Sequence, residues 1–306
     1  MTTTDPTKSE DTMNITCIGV GAMGGAVARH LASGHFAVTA FDPSSDAVER
    51  CVAAGAVAAG SLAAGVASAD LVLTSLPTPE LVVSTVDEVL EACSGPTVVM
   101  DISTIDPQTA RAVADRCATA GVPFIASPLG KTPGHAEKGE IPLFVGGDEE
   151  AIVRNGPVLE WMGEKTYRFA SVEAATTFKL VSNLVGMTNV AVLAEGLAIA
   201  ARAGIDPGDF AAALADTGAA SFQSELRLPW MIDRDWASRF GVDLAAKDVR
   251  LAVASAAVWK IPTPVGSAAL GQLMASALQG WGGEDVVAIA KLVDAGLRAD
   301  VTRDLR

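Results

Sequence analysis

The spacing of apolar residues changes character partway along the chain. Up to about residue 170, short β-rich apolar runs alternate with stretches of helical periodicity. That alternation predicts a parallel sheet covered on both faces by helices. Strands are predicted at Asn14–Val20, Phe36–Phe41, Leu71–Ser75, Thr97–Asp101, Val122–Ile125 and Ile141–Val145. Helices are predicted near Met23–Ser33, Ala47–Ala54, Glu80–Ala92 and Gln108–Ala120. Beyond Ala170 the strand signals stop, and long apolar-periodic helices take over, punctuated by Asp206-Pro207 and by Pro262 to Pro264. Ser171 to Ala203 runs for 33 residues without proline, the connector and backbone of an all-helical region. The expected class is therefore α/β: a doubly wound parallel sheet over residues 14–170, followed by an all-helical second domain over 171–306. Residues 1–13, polar and of mixed charge, read as a disordered tail without a signal-peptide core.

Composition narrows the function classes. The chain has 306 residues, of which half are apolar and only 5% aromatic, so the core is built from Ala, Val, Leu and Ile. Counting 22 Lys and Arg against 36 Asp and Glu gives a net charge of −14. Such a surface repels phosphate backbones and acidic lipid, so neither a nucleic-acid nor a membrane partner is expected. Cys51–Ala69 is 19 residues long without a charge, close to a membrane span in length. It is mostly Ala, Gly and Ser, which suits small-residue packing in an α/β layer better than lipid. Cys17, Cys51, Cys93 and Cys117 are widely spaced, with no CxxC pair, and read as reduced, mostly buried thiols of a cytoplasmic protein. His30, His35 and His135 lack ligand spacing, and no metal site is expected.

The first chemistry lies where the first strand turns into a helix. Gly19, Gly21 and Gly24, with Ala22 and Met23 between the last two, form GxGxxG. The first glycine permits a tight turn, the second lets backbone approach a pyrophosphate, and the third brings helix and strand together. Asp42 ends the second strand 18 residues after Gly24, where a carboxylate accepts from an adenosine ribose diol. A carboxylate there repels a 2′-phosphate, so NAD is favoured over NADP, although Ser44 and Ser45 offer hydroxyls to a phosphate. Two further loops fall at predicted carboxyl ends of strands: Ser75-Leu76-Pro77 and Asp101-Ile102-Ser103-Thr104. Either faces the nicotinamide half of a dinucleotide or is an ordinary turn.

Taken in order, these motifs resemble the β-hydroxyacid dehydrogenase family, which includes 3-hydroxyisobutyrate dehydrogenases and tartronate semialdehyde reductases. The resemblance extends through Asp101-Ile-Ser-Thr to Pro107, Gly146-Gly147, Lys179 to Asn183, Lys247-Asp248 to Leu251-Ala252, and Gly280-Trp281-Gly282-Gly283-Glu284-Asp285. It implies a Rossmann domain that binds NAD, a helical domain for substrate and oligomerisation, and reversible hydride transfer between the cofactor and a short 3-hydroxy acid or its semialdehyde. A homodimer or homotetramer is implied with it.

Lys179 stands out before any family is considered, because it interrupts an apolar run and shares a helical face with Asn183. Burial would lower its pKa toward the range useful for proton transfer; a lysine whose stem merely lies along the surface fits the same pattern. The resemblance makes Lys179 the general acid/base, Asn183 and Ser103 the groups positioning substrate, and Lys247 a cofactor-side lysine. From residues alone, Lys247-Asp248 reads as an ordinary solvated charge pair.

One loop departs from the family pattern. Where members acting on simple β-hydroxy carboxylates carry Ser-Gly-Gly, this chain has Gly130-Lys131-Thr132. A lysine and a hydroxyl suit a more anionic or hydroxylated substrate, and the loop looks like the Gly-Arg-Thr version of sulfolactaldehyde reductases and some threonate-type dehydrogenases. Lys131 either meets a substrate anion or faces solvent. Other readings are an imine reductase of the same architecture, against which Lys179 and Asp42 both argue, and a non-catalytic dinucleotide-binding module.

Overall fold

The computed structural model describes residues 12–294. The tail expected over residues 1–13 lies, as far as residue 11, outside the described residues. Met13 is already engaged: its carbonyl accepts the Ala37 N–H at 3.0 Å, and its side chain packs against the core.

Eight strands form one sheet: β1 Asn14–Ile18, β2 Ala37–Phe41, β3 Val57–Ala58, β4 Leu71–Thr74, β5 Val98–Asp101, β6 Phe124–Ala126, β7 Pro142–Gly147 and β8 Lys165–Arg168, in the order β3-β2-β1-β4-β5-β6-β7-β8. Chain order reverses between β1 and β4, and in open α/β sheets ligands bind outside the carboxyl ends of strands at such a point. Successive side chains go to opposite faces. Ile15, Cys17, Leu71, Leu73, Val98 and Met100 join one core with Val27 and Leu31 of the helix Ala22–Ala32. Ile18, Val72 and Val99 join another with Val82, Val86 and Val89 of Pro79–Ala92 and Val113 of Pro107–Thr119. Helices on both faces of a mostly parallel sheet make the Rossmann class expected from the alternating pattern.

Local sequence explains where these helices begin. Thr78 and Asp106 accept the N–H groups of Leu81 and Thr109, and each is followed by a proline at the first helical position, where a missing N–H costs nothing. The four helices anticipated in this half begin and end within about two residues of the positions read from periodicity.

The sheet departs from expectation in three places. β7 runs antiparallel to β6, and the link between them carries only the four-residue helix Pro133–Ala136. β3 and β8 were not anticipated: one has two residues, and the other, Lys-Thr-Tyr-Arg, is an exposed edge strand without an apolar run. β1 stops at Ile18 because Gly19 turns at φ +81°. The uncharged stretch from Cys51 to Ala69 is no continuous helix. It holds the end of the helix Ser45–Val52, β3 and the short helix Leu62–Val66, and Gly65 lets its backbone carbonyl accept from the buried Thr16 hydroxyl at 2.6 Å.

The helix Val172–Arg202 has 31 residues and is apolar and long enough to cross a membrane by length and composition alone. The chain divides within it, into units of residues 1–179 and 180–306. Its first turns belong to the first unit: Val172 joins that core, and Phe178 packs on Phe144 and Phe169 with ring centroids 4.7 and 5.1 Å apart. The second unit is helical, with Pro207–Ala215 capped by Asp206, Phe222–Asp233 opened by a Ser221/Ser224 capping box, Val242–Val258 and Pro264–Ser276. Its own core gathers Val190, Leu228, Val249, Leu273, Val286 and Ile289. Buried Asp285 ties the approach to Val242 by accepting the Arg239, Phe240 and Val287 N–H groups.

Candidate active site

The three glycines between β1 and the first helix occupy different environments. A Cβ on Gly19 would stand 2.3 Å from the Ser75 carbonyl oxygen, and one on Gly24 would stand 2.1 Å from the Gly19 carbonyl oxygen. Both are closed positions where only hydrogen fits. A Cβ on Gly21 would meet nothing within 4 Å. Gly21 is also the helix N-cap and supplies no side chain to the free N–H groups of the first turn. Exposed Gly21 and Ala22, with half-buried Met23, therefore edge an open, positively polarised helix start. That surface suits a pyrophosphate, which approaches backbone closely and accepts from N–H groups.

Asp42 follows β2 and is half-buried. Its Oδ1 accepts the Ser44 N–H at 2.8 Å, which fixes the carboxylate beside the strand end. The Ser44 hydroxyl caps the next helix through Ala47 N–H at 3.4 Å. The carboxylate can accept from a ribose diol and would repel a 2′-phosphate there.

Beside β1, the ends of β4 and β5 are tied by a buried network that was not foreseen. Asp101 is 1% exposed; its Oδ1 accepts from the Thr74 hydroxyl at 2.8 Å and from the Ser103 hydroxyl at 2.6 Å. The Ser103 oxygen in turn accepts the Leu76 N–H at 2.8 Å. Leu76 is half-buried, Pro77 exposed and Thr104 half-buried, so the network sets the loops that carry them. It also restricts Ser103: its one hydroxyl proton is given to Asp101, so toward a ligand this oxygen is an acceptor. A donor role toward a substrate carboxylate requires that proton to be redirected.

The substrate-loop residues are held by main chain. Gly130 N–H donates to the Pro142 carbonyl at 2.9 Å, and a Cβ there would stand 2.6 Å from Pro142 Cγ. Lys131 adopts φ +62°, a left-handed conformation that side chains other than glycine seldom take. Its ammonium lies 2.5 Å from Glu164 Oε1, so an incoming anion competes with that carboxylate. The Thr132 hydroxyl lies 2.7 Å from His135 Nδ1.

Lys179 is half-buried; Leu180 beside it is buried, while Phe178 and Val181 are exposed, so the apolar run around it is only partly covered. Asn183 lies one turn further along the same helix. Its Nδ2 donates to Asp248 Oδ2 at 2.6 Å, and Asp248 Oδ1 lies 2.9 Å from the Lys247 ammonium. The reading of Lys247-Asp248 as a solvated pair is corrected: their side chains are 13% and 4% exposed. Periodicity carried the signal, since Asp248 falls on the buried stripe Val242, Ala245, Val249, Ala252. No cluster of three or more His, Cys, Asp or Glu residues arranged for a metal occurs among the described residues.

Comparison with known proteins adds an independent line. Residues 14–171 match the family model for the NAD binding domain of 6-phosphogluconate dehydrogenase, and residues 174–293 match that for the NAD-binding region of NADP-dependent 3-hydroxyisobutyrate dehydrogenase. The chain is 29% identical to 2-(hydroxymethyl)glutarate dehydrogenase of Eubacterium barkeri, over 92% of this chain and 95% of that protein. It is 31% identical to 3-hydroxyisobutyrate dehydrogenase of Pseudomonas aeruginosa, over 84% and 89%. A crystal structure of 3-hydroxyisobutyrate dehydrogenase from Salmonella typhimurium superposes with a TM-score of 0.85 at 26% identity, covering 92% of this chain and 99% of that one.

Proposed function

Since the chain belongs to the β-hydroxyacid dehydrogenase family, we propose that it oxidises the alcohol of a short 3-hydroxy acid, or reduces the matching semialdehyde, with NAD as its dinucleotide. Membership makes it an NAD(P)-dependent oxidoreductase acting on CH–OH groups. The observation that carries the finer reading is the pairing of an amine, Lys179, with an amide, Asn183, one turn apart on one helix, the amide being anchored by a buried carboxylate.

When bound, NAD supplies the acceptor for hydride, and the chain's own residues do the rest. Gly19, Gly21, Ala22, Met23 and Gly24 bind the pyrophosphate, Asp42 accepts from the ribose hydroxyls, and Leu76, Pro77, Thr104 and Lys247 line the remainder of the cofactor. Lys179 as free amine takes the hydroxyl proton during oxidation; as ammonium it returns that proton to the carbonyl oxygen during reduction. Asn183 and Ser103 orient the hydroxy acid, and orientation supplies much of the rate. Gly130, Lys131 and Thr132 form the substrate loop. The Lys131 charge supports a second reading, in which the substrate carries an extra anion such as a sulfonate.

We further propose a cytoplasmic homodimer or homotetramer, supported by exposed Val192 and Ile199 on the long helix and Val265 and Leu278 beyond it. The deciding experiment measures NAD and NADP reduction with 3-hydroxyisobutyrate, serine, glycerate, threonate and dihydroxypropanesulfonate, using wild type, Lys179→Ala and Lys131→Ala. Lys179→Ala is expected to lose turnover at least 100-fold, on the order of what a positioned general base contributes. Wild-type turnover in that variant overturns the role given to Lys179. Lys131→Ala is expected to raise KM for the most anionic substrate, and an unchanged KM across the panel removes the anion contact.

A further inference from the structure

We infer that Asp248 is a positioning residue for the reaction: one buried carboxylate sets the orientation of the Asn183 amide and holds the Lys247 ammonium beside it. The inference rests on the reading of Asn183 as a substrate group and Lys247 as a cofactor group.

A carboxylate in its ionised form accepts hydrogen bonds and donates none. The 2.6 Å contact from Asn183 Nδ2 to Asp248 Oδ2 therefore fixes which end of the amide turns toward Asp248. Flipping the amide would set its carbonyl oxygen against a carboxylate oxygen in a site that is 4% exposed, where unscreened repulsion is costly. The Asn183 carbonyl is thereby directed away from Asp248. An amide locked this way presents a defined acceptor, which is what discriminating the hydroxyl of a hydroxy acid requires.

The second oxygen points to the same role. Asp248 Oδ1 is buried and makes no hydrogen bond, although the Lys247 ammonium stands 2.9 Å away. A buried carboxylate with one oxygen used only electrostatically is a poor stability device, because desolvation offsets much of the attraction. Its cost is explained if the carboxylate serves two functional side chains at once. Both of those side chains are within its reach, Asn183 Nδ2 on one oxygen and the Lys247 ammonium beside the other.

A double-mutant cycle in the full-length protein tests this. Asp248→Asn is nearly isosteric but can pair with Asn183 in either amide orientation and removes the charge facing Lys247. It is expected to melt within a few degrees of wild type and to raise KM for the hydroxy acid, with kcat/KM lower by roughly 10- to 100-fold, the scale of a small misplacement near the reacting atoms. In an Asn183→Ala background the same change is expected to add at most a few-fold for the hydroxy acid, because the amide it orients is gone. Fully additive losses, or an unchanged KM in the single variant, overturn the inference. If Asp248→Asn fails to fold, Asp248→Glu keeps charge and acceptor but shifts them by a methylene; a wild-type KM in that variant is then the overturning result. Failure of the underlying reading looks different: no turnover of any hydroxy acid by wild type, or turnover insensitive to Lys179→Ala.

Discussion

Gly21 and Gly24 stand three residues apart in one motif, yet a methyl group at each has opposite consequences. At Gly24 it would collide with the Gly19 carbonyl and the Ser75 side chain, so Gly24→Ala must shift backbone and is expected to lower the melting temperature clearly. At Gly21 it would enter empty space, so Gly21→Ala is expected to melt like wild type while its affinity for NAD falls by about tenfold or more. Thermal melts paired with NAD titration by fluorescence check both. A Gly21→Ala variant that binds NAD normally would remove the pyrophosphate from that turn. The cysteines follow the same local logic. Burial pushes the Cys17 and Cys117 thiols up to about 12, so both stay protonated at neutral pH and slow to react.

The segment between β6 and β7 concentrates strain and charge in one residue. Lys131 pays for its left-handed backbone, at roughly 1–2 kcal/mol for a side chain other than glycine, and its surface pair with Glu164 returns at most about 1 kcal/mol. Lys131→Ala loses the pair and keeps the strain, whereas Lys131→Gly loses the pair and relieves it. Glycine is therefore expected to be the more stable replacement by about 1 kcal/mol, measured by urea unfolding. Equal stability would mean that the turn stores no strain. Legibility from sequence divides along similar lines. The turn at Gly19 and the helix that follows it could be read from the spacing of glycines, β1, β4 and β5 from apolar runs buried on both faces, and β2 from its alternation of buried with exposed or half-buried positions. β8 could not be read, since an edge strand of Lys, Thr, Tyr and Arg has no apolar run. Asp101, Glu164 and Asp248 were missed as site residues because their partners are brought to them by folding: Thr74 from a neighbouring strand, Lys131 from another loop, Asn183 from another helix.

At the scale of the molecule, two units each have a core of their own, and proteins built so often unfold in more than one step. Calorimetry is expected to resolve two transitions. NAD at 100 times its Kd should stabilise the unit that holds it by about 2.7 kcal/mol. Leu273→Ala should weaken the other by about 2–5 kcal/mol, as for a fully buried leucine. A single transition moved equally by both would show that the cores unfold as one. The reversed strand β7 has a consequence for how such an enzyme diversifies. The hairpin-like return is stitched by backbone hydrogen bonds, with Ser127 N–H on Asp101, Phe144 N–H on Pro128 and Gly130 N–H on Pro142, and by the buried side chains of Leu129, Ala136, Ile141 and Leu143. The path of the backbone is thus set without help from the exposed positions Lys131 and Gly134, so new appetites can evolve at those positions by single replacements while the hydride machinery is inherited unaltered.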